Sequence, residues 1–140
     1  MSARRRRVVL VRQWDSQHTG SGCCGGFGGT DGELGCDAEF ADARALMERM
    51  GAVYRALRAE LGDAVDVEVV DPRNTAWLVP ALWRDARRAG GSRADAWRTV
   101  RRGSADGAVV ADGRVLSTGE PPSPDAVVDA VLEVLATRAV

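Results

Sequence analysis

The chain has 140 residues, 45% of them hydrophobic and 28% charged, with a formal net charge of -1. That balance fits one soluble globular domain with a real core. It removes any global electrostatic case for nucleic acid, and no apolar run approaches the roughly 20 residues that span a bilayer.

Near the start stands Arg4-Arg5-Arg6-Arg7, a run that could touch phosphate or acidic lipid and that reads first as a solvated arm leading into a strand. All 19 basic residues are arginine, which matches a GC-rich coding bias. Arg7 to Trp14 is short, apolar and β-branched, and predicts a buried strand. Its core, Val8 to Val11, is too short for a signal peptide, so a cytoplasmic location is expected. Residues 15–36 then form a Gly/Cys-rich loop holding half of the chain's 16 glycines. A loop of that length is usually functional.

Asp37 reads as an N-cap for a long amphipathic helix whose apolar face runs from Phe40 through Leu46, Met50, Val53 and Leu57 to Leu61. Gly62 closes it. Val65 to Val70 predicts a second strand, and Asp71-Pro72-Arg73-Asn74 a turn. A second helix is capped by Asn74 or Thr75 and ended by Gly90-Gly91. Pro80 moves its regular start to about Val79. Ser92 to Arg102 reads as a short helix or an ordered loop. Ala108 to Ala111 and Arg114 to Ser117, joined by Asp112-Gly113, carry the signature of a type I′ hairpin. Ser123 caps a last helix with Val127, Val128, Val131, Leu132 and Leu135 on its apolar face. The sum is an α/β fold of order β-α-β-α-β-β-α: one mixed, roughly four-stranded sheet with helices on both faces.

The chemistry is concentrated in Gly22-Cys23-Cys24-Gly25-Gly26-Phe27-Gly28-Gly29. Cys36 follows twelve positions after Cys24, and the chain has 3 cysteines in all. In a reducing compartment an odd number of thiols reads as free thiols, metal ligands or a redox set. Adjacent Cα atoms stand about 3.8 Å apart, short of the roughly 4.4–6.8 Å of a relaxed disulfide. Cys36 is therefore the better partner for either Cys23 or Cys24, as a resolving thiol. Three thiolates also suit Cu(I), As(III) or Zn(II), the last with a fourth ligand such as His18. Loop N–H groups at Gly22, Gly25 and Gly26 can bond sulfur or stabilise a thiolate. Free cysteine also packs as a small hydrophobe, and His18 as an ordinary loop residue. The glycines match no phosphate-loop or dinucleotide spacing. One histidine and scattered acids make no Ser-His-Asp set or carboxylate pair.

The element order, with cysteines between the first strand and first helix, resembles the thioredoxin-like fold. That resemblance implies thiol chemistry at this loop, but the oxidoreductases of the fold separate their two cysteines by two residues. They also place a cis-proline before the third strand, where this chain has Gly107-Ala108. An ordinary thiol-disulfide oxidoreductase is therefore not expected. The stretch His18 to Gly29 is similar to the loop of thioredoxin-like [2Fe-2S] ferredoxins, whose clusters take four thiolates. Three cysteines argue against a cluster within one chain. Cys23, Cys24 and Asp112-Gly113 also resemble thioredoxin-fold arsenic metallochaperones. The expected function is an accessory or carrier protein that uses the vicinal thiols for redox or soft-metal binding. The alternative is an interaction module with incidental cysteines, acting through a protein partner or a homodimer.

Overall fold

A computed structural model describes the backbone of residues 5–13 and 33–139, and the side chains of 5–13 and 41–138. Four strands form one sheet: β1 (Arg6–Val11), β2 (Val65–Val70), β3 (Val109–Ala111) and β4 (Arg114–Ser117). The strand order is β2-β1-β3-β4. β1 is parallel to β2, in register from Arg6 opposite Val65 to Val11 opposite Val70. It is antiparallel to β3, which turns back antiparallel into β4. Four helices complete the described residues: α1 (Glu33–Leu61), α2 (Thr75–Arg88), α3 (Arg93–Gly103) and α4 (Pro124–Ala139), with a 3-10 turn at Gly62–Ala64.

Strand alternation divides the interior into two cores. Val8 and Leu10 of β1, with Val109 and Ala111 of β3, pack against Met50, Val53 and Leu57 of α1 and Val127, Val131 and Val134 of α4. Val9, Val11 and Val110 face the other way, against Leu78 and Leu82 of α2 and Val100 of α3. The expected α/β class and mixed four-stranded sheet are thus present, with a helix pair on each face.

Local signals explain most boundaries. Asp112 (φ 48°) and Gly113 (φ 83°) both take the left-handed conformation of a type I′ turn. A Cβ on Gly113 would meet the α2 backbone at Asp85 and Ala86, so only glycine fits there. α2 ends in a Schellman motif: Gly90 N–H donates to Arg87 O at 3.1 Å and Gly91 N–H to Ala86 O at 3.1 Å. Ser123 caps α4, accepting from Ala126 N–H at 3.3 Å.

Other expectations are corrected. β1 runs from Arg6 to Val11 rather than from Arg7 to Trp14, so Arg6 too belongs to the strand rather than to a solvated arm. α1 is already helical at Glu33, so Asp37 lies inside the helix and is not its N-cap. α2 starts at Thr75 and carries Pro80 in its second turn. The proline removes the N–H that would bond Ala76 O, while burial of Leu78, Ala81 and Leu82 holds the turn in place. On α4, Leu132 is exposed and Val134 is buried in its stead. Val127, Val131 and Val134 follow i, i+4, i+7 spacing, and Leu132 lies about 100° round the helix from Val131.

Candidate functional site

Cys23, Cys24, His18 and the loop glycines Gly22, Gly25 and Gly26 all lie outside the described residues. The frame that carries their segment is described. It leaves the carboxyl end of β1 after Gln13 and enters α1 at Glu33. β1 is central: the chain passes through α1 to β2 on one side, then through α2 and α3 to β3 on the other. The carboxyl end of β1 thus lies where the chain reverses its winding, between parallel β2 and the amino end of antiparallel β3.

Backbone hydrogen bonds fix that end. Val11 N–H donates to Ala108 O at 2.9 Å, Gly107 N–H to Val11 O at 2.8 Å, and Arg12 N–H to Val70 O at 3.0 Å. Gln13 N–H donates to an Asp106 carboxylate oxygen at 3.3 Å. The position before β3, where the resemblance implies a proline, is held by Gly107. Its φ is 79°, which proline cannot adopt. A Cβ there would collide with the Gly119 carbonyl, so the approach of the two backbones requires glycine.

Cys36 falls in the first described turn of α1, not in a loop before it. α1 has 29 residues and is about 43 Å long, twice the roughly 20 Å span of β1. Among the described side chains of α1, Met50 is the first that is fully buried. Cys36 precedes Met50 by fourteen positions, about 21 Å along the axis. Beside the exit from β1, a groove of about 370 Å³ lies between α1 and β2, lined by Arg12, Met50, Gly51, Tyr54, Arg55, Val67 and Val69. Among the described residues no group of three or more His, Cys, Asp or Glu stands together as a metal site, and no helix is long and apolar enough to cross a membrane.

At the opposite end of β1 lies a buried ion pair, whose acid, Asp85, the sequence did not single out. Arg7 spans the Asp85 carboxylate with two contacts of 3.2 Å, from Nε and Nη2. Its guanidinium also lies 5.5 Å from the Trp77 ring centroid. Asp85 is the one buried charged residue among those described. Trp83 meets Trp97 edge-on with centroids 5.1 Å apart. Trp77 and Trp83 pack against the second core, while Trp97 is 55% exposed.

Comparison with protein-family models, with curated proteins and with solved structures finds no match for this chain.

Proposed function

We propose that the chain is a thioredoxin-like domain that uses Cys23 and Cys24 for thiol exchange or to carry a soft metal ion. The observation that supports this reading most is topological. The segment bearing the adjacent thiols joins the carboxyl end of central strand β1, where the chain reverses its winding, to the start of α1. The groove between α1 and β2 offers a partner or client a concave surface beside it. Gly107 in place of proline, and vicinal rather than spaced cysteines, favour holding over turnover of disulfides. Cys36 is the third thiol within the chain's reach.

The test is anaerobic purification of the full chain, with metal analysis, a visible spectrum, and thiol titration before and after oxidant. Wild type is expected to hold a soft metal or to lose two titratable thiols reversibly on oxidation. Cys23→Ser/Cys24→Ser is expected to do neither while keeping its thermal midpoint. A variant with unchanged metal content and redox behaviour overturns the reading, and the domain is then an interaction module with incidental cysteines.

A further inference from the structure

We propose that the amino end of the sheet carries an arginine-built site for an anion with several phosphate groups in series. A cleft of about 410 Å³ opens there, with Arg6 and Arg7 of β1, Arg88 of α2 and Arg138 of α4 in its walls. Its acids are Asp85 and Asp112, and both are already engaged. Asp85 is spanned by Arg7 and has Arg88 at 3.9 Å. Asp112 accepts from Arg138 at 2.6 Å on its carboxylate and at 2.5 Å on its carbonyl. These pairs hold guanidinium groups in fixed positions while leaving a surplus of positive charge.

Arg6 is the least tightly paired guanidinium of β1 in this wall, its side chain 32% exposed. Its Nη1 is buried and makes no hydrogen bond among the described residues. The Asp112 carboxylate stands 3.6 Å from it, too far for one. A partly exposed guanidinium with no close acceptor, in a wall already rich in cations, is suited to an incoming oxyanion.

A second cleft of about 500 Å³ shares Ala89 and Arg138 with the first and adds Arg98, Arg102 and Arg114. Its one acid, Asp95, is bonded to Ser92 and Arg98. Arg102 and Arg114 make no ion pair among the described residues. Arg88 and Arg102 stand in last helical turns, where they also complement helix dipoles. Arg6 and Arg114 lie on strands and have no such role. Guanidinium forks match phosphate oxygens two at a time. Two concavities joined at Arg138 favour an elongated polyphosphate over a single small oxyanion.

The test is calorimetric titration of the full chain with inorganic tripolyphosphate, beside orthophosphate, ATP and a short single-stranded RNA. Tripolyphosphate is expected to bind one site, at least about tenfold tighter than orthophosphate, and to weaken with added salt. Arg102→Ala/Arg114→Ala, both exposed positions, is expected to weaken it by about tenfold, and Arg6→Ala likewise. Arg58→Ala, on the outer face of α1, and Cys23→Ser/Cys24→Ser should leave it unchanged. Equal affinity for ATP and tripolyphosphate means that the phosphate chain alone is read; tighter ATP means that a nucleoside is read as well, and either supports the site. Binding no tighter than orthophosphate, cleft variants that bind like wild type, or RNA binding without tripolyphosphate binding overturns it.

Discussion

Asp85 is 5% exposed, and a carboxylate taken that far from water needs its charge answered on the spot. Arg7 answers it in bidentate geometry from a side chain itself 13% exposed. Desolvation cancels much of the attraction in such a pair, so the pair is weak evidence of net stability; removing one partner strands the other charge. Asp85→Asn is therefore expected to destabilise the fold by about 3 kcal/mol in urea unfolding. Arg7→Met/Asp85→Leu should recover most of that loss, because neither charge remains buried. A double variant as unstable as the single one would assign the cost to packing instead. Arg7 stands at once in an arginine run and at the start of an apolar strand, and the carboxylate that buries it is 78 positions away. Nothing local to an arginine run marks a partner at that distance. The same holds for Gly107, whose need for glycine comes from the Gly119 carbonyl and from no turn motif in its own neighbours.

At the scale of elements, α3 shows how one cap decides a segment. Ser92 to Arg102 is so rich in arginine, with only Trp97 and Val100 as large apolar residues, that periodicity leaves helix and loop equally open. A reciprocal capping box resolves it: Ser92 Oγ accepts from Asp95 N–H at 3.1 Å, and the Asp95 carboxylate accepts from Ser92 N–H at 2.9 Å. The hydroxyl of Ser92, its backbone N–H and the Arg98 guanidinium together hold the Asp95 carboxyl below its ordinary value. A carboxylate whose pKa is lower folded than unfolded adds stability above the unfolded value, and that stability is lost as pH falls through the folded one. Asp95→Asn is expected to lower the thermal midpoint at neutral pH and to match wild type in strong acid. A deficit of equal size at both pH values would mean that the cap works without its charge. The hairpin, Gly62 and the Ser123 cap were legible because their signals are a few residues long. The starts of α1 and α2 were not. Asp37 and Pro80 are both strong local signals, overruled by a helix that begins earlier and by packing of Leu78 and Leu82.

At the scale of the molecule, a net charge of -1 conceals a division between faces. The stretch from α2 to α3, residues 75–103, carries seven arginines and two aspartates. The sequence order identified the sheet and its two helix layers, because strand and helix periods differ. It could not show which charges those layers bring together. The open edge of the sheet follows the same rule. Among the described residues β2 pairs only with β1 and presents its outer row of backbone groups at the margin, where another strand could add. Val65 and Val70 are buried, Val67 and Val69 half-buried, and Asp66 and Glu68 are exposed. In a two-fold antiparallel pairing centred on Val67, Asp66 of one copy would stand opposite Glu68 of the other, and like charges directly opposite are unfavourable. Arg5 approaches Asp66 only to 3.8 Å, from a side chain 56% exposed, which offsets little of that repulsion. Asp66→Thr/Glu68→Thr keeps strand propensity and removes the charges. It is expected to raise the weight-average mass with concentration in sedimentation velocity, relative to wild type, with the thermal midpoint little changed. If the variant sediments like wild type at every concentration, the two acids are not what guards this edge, and its protection lies in the strand's twist or in the flanking residues.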